Sequence, residues 1–92
     1  MGGSVTERSK LLFNNSHMLS VAQAVGEGDE VIDTRMLQDR LQLSQSSVRR
    51  VLVALEGVGL MDRMERQTRT EPLRYRRRAH PFWLAAQELA NA

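Results

Sequence analysis

Gln45, Ser46, Arg49 and Arg50 stand on one side of a short amphipathic segment, and their side chains are of the kind that bond nucleic-acid bases and phosphates. Arginine can donate to guanine O6 and N7 together, glutamine can satisfy adenine in a similar two-bond fashion, and serine suits a base edge or a phosphate. Val48, Val51, Leu52 and Leu55 fall at i, i+3, i+4 and i+7 and form one apolar stripe on the other side. Val53 sits with the polar group. The spacing predicts a helix over residues 44–56, started by Ser44, whose hydroxyl can accept a bond from an unpaired first-turn amide. Ser47 suits that first turn as a cap and equally suits a phosphate contact. Such a helix buries one face and offers the chemistry of DNA reading on the other; the plain alternative is a solvated polar face.

A second group of residues points the same way. The net charge is only +2, but it is unevenly spread: residues 1–46 hold four Lys/Arg against six Asp/Glu, and residues 47–92 hold nine against five. Arg63, Arg66, Arg69, Arg74, Arg76, Arg77 and Arg78 crowd one stretch that also contains Glu65 and Glu71. A basic strip on a nearly neutral chain is the footprint of a polyanionic partner, against the alternative of a solvated arginine-rich hairpin. Arginine, with no lysine in this stretch, suits two-bond contacts to phosphate. Arg66 and Arg69 fall near the tip of the expected hairpin, and Arg74, Arg76 and Arg78 share one strand face. Arg66, Arg69, Arg74 and Arg76 are the favoured backbone or minor-groove contacts. Arg63 is expected to pair with Asp62, Glu56 or Glu65, and Arg77 to lie beside Tyr75.

Other chemistries fit poorly. His17 and His80 lie far apart without cysteine or a local acidic cluster, so no metal or other cofactor is expected. No nucleophile, base and orienting group fall into a recognisable set, and no glycine-rich phosphate cradle is present, so a non-enzyme is expected. The absence of cysteine suits a reducing compartment. No basic-then-apolar leader opens the sequence and no apolar run nears the roughly 18 residues of a membrane span, so a cytoplasmic, membrane-free protein is expected.

Ninety-two residues make one small domain with a modest core, for which dimerisation is a natural supplement. Residues 1–8 are set apart as a flexible N-terminus and 9–92 as the folded domain, although TERSKLLF has the makings of a short first helix. Asn15 or Ser16 can start the next one, whose stripe is Met18, Val21, Ala22 and Val25, with Gly26 and Gly28 as its stop. Val31-Ile32 suits a short strand. Asp33 or Thr34 then caps a helix carrying Leu37 and Leu41, and Leu43 plugs the turn that follows. After Gly57 or Gly59, LMDRMER and LRYRRRAH read as two strands joined by the polar loop QTRTEP. Pro81 suits the start of a last helix. Leu11, Leu12, Phe13, Phe82, Trp83, Leu84 and Leu89 are bulky residues crowded onto the two terminal helices. Some complete the core; as a set they point to a two-fold dimer that would space two reading helices about one DNA turn, roughly 34 Å, apart.

The resulting order is helix, helix, short strand, helix, helix, strand, strand, helix: mainly α with a small β-hairpin, an α+β chain. Over residues 9–90 it resembles the winged helix-turn-helix domain of bacterial MarR-like and ArsR-like transcriptional regulators. The run LSQSSVRRVLVALEGVGLMDR fits their pattern LS-x-x-S/T-V-x-R-x-L-x-x-L-E-x-x-G-L-x-x-R, carried by Leu43, Ser44, Ser47, Val48, Arg50, Leu52, Leu55, Glu56, Gly59, Leu60 and Arg63, with Leu37 and Leu41 in the helix before. The passage RYRRRAHPFWLAAQEL resembles the wing and last helix of the ArsR-like group. The missing long flanking helices also favour the ArsR-like plan. The resemblance implies a dimeric regulator of double-stranded DNA that places the 44–56 helix in the major groove through Gln45, Ser46, Ser47, Arg49 and Arg50. The fold also serves as a protein-interaction module, or as the DNA-binding part of a larger assembly. The chain departs from the pattern at Gln38, where a small residue is usual, and at Gln42, where glycine is usual. Either Gln42 accepts a left-handed conformation at roughly 1 kcal/mol, or the turn is looser.

Overall fold

The computed structural model describes residues 4–92, an α+β arrangement of five helices and a three-stranded antiparallel sheet among the described residues. Helix α1 spans Val5–Phe13, capped by Ser4, whose hydroxyl accepts from the Glu7 amide at 3.1 Å. The folded unit therefore begins well before the expected boundary at residue 9. Arg8 fixes it there: its guanidinium donates to the Leu89 and Ala90 carbonyls, both at 2.9 Å, tying the first helix to the end of the last. Ser9 is fully buried between helices, accepting from the Leu19 amide at 3.0 Å and donating to the Asn15 carbonyl.

Helix α2, Met18–Glu27, is the centre of the packing; Met18, Val21, Ala22 and Val25 are buried as the periodicity requires, and Leu19 and Ala24 join them. Its start differs from expectation. The Asn15 side chain accepts from the His17 amide and its carbonyl from the Met18 amide, while His17 takes the cap position without a side-chain bond. The stop differs too, since Gly28 ends the helix while Gly26 lies inside it. A Cβ on Gly26 would stand 2.9 Å from the Gln87 amide nitrogen and 3.5 Å from the Trp83 Cβ, so α5 passes close over this position with only a flexible side-chain end in the way.

Strand β1, Val31–Asp33, leads directly into helix α3, Thr34–Leu41, with the Asp33 carboxylate accepting from the Arg35 and Met36 amides at 2.7 and 3.4 Å. Gln42 ends α3 in the left-handed conformation, φ 54°, and its side-chain amide donates to the Asp39 carbonyl at 2.7 Å. Of the two turns open to the sequence, the tight one is realised, with a local bond offsetting part of the strain. Helix α4, Gln45–Gly57, buries Val48, Val51, Leu52 and Leu55. It ends at Gly59, φ 83°, where the Gly59 amide reaches the Glu56 carbonyl and the Leu60 amide reaches the Leu55 carbonyl, with both leucines buried. This two-bond closure with an apolar contact is the usual glycine helix stop.

Strand β2 is only Met61–Arg63, shorter than LMDRMER suggested, and pairs with β3, Arg74–Arg77. β3 is also the partner of β1, giving the order β1-β3-β2 with Ile32 opposite Tyr75. The expected hairpin is thus widened by a strand that sequence patterning had left unpaired. Tyr75 faces the core and Arg74 and Arg76 face outward. Arg77 lies on the same inner side as Tyr75. It donates from Nη1 to the Val25, Gly28 and Asp29 carbonyls at 2.6, 3.0 and 3.3 Å, satisfying the open end of α2.

Helix α5, Phe82–Asn91, packs along α2 and against α1. The seven residues expected at a dimer interface divide here. Trp83 is 6% exposed, its indole donating to the Arg78 carbonyl at 2.7 Å, and Phe13 and Phe82 pack against the core. Trp83 therefore belongs to the monomer core, because the close α2–α5 approach leaves a slot an indole can fill, whereas Phe13 and Phe82 stay half-buried at its edge. Leu11, Leu12, Leu84 and Leu89 stay exposed, Leu11 at 85%. No helix among the described residues is long and apolar enough to cross a membrane.

Candidate functional site

The outer face of α4 is presented by the turn before it. Ser44 accepts from the Ser47 amide at 3.2 Å, donates to the Ser47 hydroxyl at 2.9 Å and lies 3.2 Å from the Ser46 hydroxyl. Ser47 is half-buried in this cluster, its amide and hydroxyl both bonded to the Ser44 hydroxyl, so the cap is Ser44 and not Ser47. Gln45, Ser46, Arg49 and Arg50 are exposed. Neither arginine of α4 meets a carboxylate among the described residues, and neither lies under another element.

The loop over residues 64–73 folds back toward this helix. Within it the Gln67 amide donates to the Glu71 carboxylate at 3.2 Å, and Arg66 makes a long 3.5 Å contact to the Glu71 carbonyl. At its end the Thr34 amide donates to the Leu73 carbonyl at 3.0 Å, fastening the loop to the start of α3. The result is a polar cleft of about 250 Å³ whose walls include Arg35 and Gln38 from α3, Gln45 from α4, and Arg66, Arg69 and Glu71 from the loop. A small recess of about 10 Å³ adjoins it, lined by Gln38, Gln45, Arg49 and Tyr75 among others. Gln45, Arg49, Arg66 and Arg69 are therefore brought onto one surface.

The sheet arginines are placed differently. Arg76 stands 3.8 Å from Glu30, Arg78 bonds Asp62 at 2.8 Å, and Arg63 bonds Glu56 at 3.2 Å. Glu56 is thus the partner of Arg63 among the three carboxylates expected. The Tyr75 phenol and the Glu56 carboxylate facing Arg63 raise its already high pKa, which keeps the guanidinium charged. These pairs are solvent-exposed, worth about 0–1 kcal/mol each, and exchange readily for another anion. Arg76 is consequently a shared rather than a free cation, whereas Arg74 has no carboxylate partner among the described residues.

Three features escaped the sequence reading. Arg35 lies on the cleft because the Asp33 cap sets the start of α3 beside the folded-back loop, a long-range placement with no local signal. Gln38 lies there for the same reason. Tyr75 is buried, and its hydroxyl lacks a well-formed hydrogen bond; the Arg63 guanidinium carbon lies 6.0 Å from the ring centroid. His80 accepts from the Phe82 amide at 2.9 Å, and among the described residues no three His, Cys, Asp or Glu side chains gather as a metal site would require. Compared with protein-family models, curated proteins and solved structures, the chain matches none.

Proposed function

We propose that the chain is a winged helix-turn-helix regulator of transcription that binds double-stranded DNA as a homodimer in the cytoplasm, without enzymatic activity. In this reading α3 and α4 form the helix-turn-helix, α4 enters the major groove, and the β2–β3 hairpin with its 64–73 loop is the wing. The observation that carries it is the outer face of α4: Gln45, Ser46, Arg49 and Arg50 are exposed, with Arg49 and Arg50 free of carboxylates, next to a loop bearing Arg66 and Arg69. A face of this chemistry, held by a buried stripe behind it, can reach base edges while the loop arginines hold the backbone. Arg74 and, once freed from Glu30, Arg76 extend the backbone track. Leu11, Leu12, Leu84 and Leu89, exposed on the two terminal helices, support pairing with a second copy.

Selection from random duplexes followed by sequencing tests this. A palindromic enriched site with half-sites one helical turn apart is expected. Arg49→Ala or Arg50→Ala should flatten the preference, by about 1–3 kcal/mol per lost two-bond contact. Enrichment of nothing, with both variants behaving as the parent, would refute the assignment.

A further inference from the structure

The cleft between α3, the first turn of α4 and the 64–73 loop carries more positive charge than its own residues answer. Arg35, Arg66 and Arg69 line it against one carboxylate, Glu71, which is itself engaged by the Gln67 amide. Neither Arg35 nor Arg69 meets an acidic side chain among the described residues, and the Arg66 contact to the Glu71 carbonyl is long. Guanidinium groups around a concave wall focus their field into it and attract an anion. Their planar forks suit an oxyanion that can accept paired bonds. The carboxamides of Gln38 and Gln45 add neutral donors, and the buried Tyr75, whose hydroxyl lacks a well-formed partner, belongs to the recess that continues the cleft inward.

We propose that this cleft is a binding site for a phosphate group, with Arg35, Arg66 and Arg69 as its cationic ligands. Three arginines against one glutamate match a phosphomonoester, which carries about −1.5 to −2 at neutral pH, better than the single charge of a phosphodiester. The site is concave, and a volume of about 250 Å³ leaves room for an organic group beside the phosphate. Gln45, Arg66 and Arg69 also belong to the proposed DNA surface, so, resting on that reading, a bound phosphomonoester and a duplex exclude each other. The cleft is then where a small phosphorylated compound releases the protein from DNA.

The test follows the arginine side-chain and backbone NMR signals of the full chain during titration with inorganic phosphate, against chloride at equal ionic strength, and then with a duplex. Saturable shifts at Arg35, Arg66 and Arg69 are expected. Arg35→Gln should weaken them about tenfold, the loss of one charge-assisted contact, while Arg78→Gln, at a residue paired with Asp62 away from the cleft, leaves them unchanged. Inorganic phosphate should also displace duplex more strongly than chloride does. Shifts that grow linearly with salt and reach Arg50 equally would overturn the site. No response to phosphate, with the same signals moving on duplex addition, overturns the phosphomonoester site and leaves Arg35, Arg66 and Arg69 as contacts to the DNA strand alone. Duplex binding that leaves Arg35 unmoved, with no phosphate response, overturns the site while the DNA reading stands. Saturable phosphate binding without duplex binding does the reverse.

Discussion

Arg77→Ala should be among the costliest single changes on the sheet, although a surface arginine is usually dispensable. The Nη1 group donates to three carbonyls at the end of α2, at 2.6, 3.0 and 3.3 Å, in a half-buried position. One nitrogen has two hydrogens, so the three contacts amount to two good bonds and a shared one. A hydrogen bond from a charged group contributes about 1.5–3 kcal/mol, and water can replace part of what is lost at a helix end. The expected cost is therefore about 2–3 kcal/mol, or roughly 10–20 °C in melting temperature for a domain of this size. Arg77→Lys should recover about half, since an ammonium keeps the charge at the helix end but not the fork. Urea denaturation followed by circular dichroism and Trp83 fluorescence measures all three forms. Arg74→Ala, an exposed neighbour on the outer face, should stay within about 0.5 kcal/mol. If Arg77→Ala behaves like Arg74→Ala, the role assigned to Arg77 in closing α2 is wrong.

Four further outcomes follow from the same structure. Gly26→Ala should stabilise by about 0.5–1 kcal/mol in the same denaturation assay, because the helix interior disfavours glycine, the Trp83 Cβ at 3.5 Å is an ordinary contact, and the one clash, at 2.9 Å, is with the far end of the flexible Gln87 side chain; a loss of stability would show that Gln87 cannot yield. Gln42→Gly should gain up to about 1 kcal/mol by relieving a left-handed non-glycine residue, less what the Gln42–Asp39 bond contributes; an unchanged midpoint would mean that bond offsets the strain in full. Leu11→Glu with Leu12→Glu should turn the proposed dimer into a folded monomer by sedimentation, and a parent that already sediments as a monomer removes the dimer from the account. Arg69→Ala should weaken binding to all duplexes alike while leaving base preference intact, read by competition with unrelated sequences.

What the sequence disclosed was mostly what neighbours in the chain decide. The Ser44 cap, the stripe from Val48 to Leu55 and the Gly59 stop depend on residues within a few positions, and the structure has all three. So do the Asp33 cap and the alternation that puts Arg74 and Arg76 on one strand face. The errors arose where a distant element decides. Gly26 looked like a terminator because nothing local reveals that Trp83 and Gln87 pass over it. Trp83 looked available to a partner because its slot is made by α2, and the acceptors of Arg77 went unread because they lie some fifty positions earlier. The candidate site divides in the same way. Gln45, Ser46, Arg49 and Arg50 followed from helical period alone, whereas Arg35 and Gln38 join them only through the folded-back loop. The pairing of Arg76 with Glu30 likewise depends on β1 lying beside β3, which no local pattern announced.

The most direct test of the DNA assignment is the anisotropy of a labelled duplex titrated with the full chain between 50 and 200 mM salt. Binding should weaken linearly in logarithmic terms, with a slope near −0.9 for each phosphate neutralised. Arg66, Arg69 and Arg74, with Arg76 once freed from Glu30, would give about −3 to −4 per subunit, and Arg69→Ala should reduce that by about one. No binding at 50 mM salt, or binding whose strength ignores salt and survives removal of Arg49 and Arg69, would contradict the assignment.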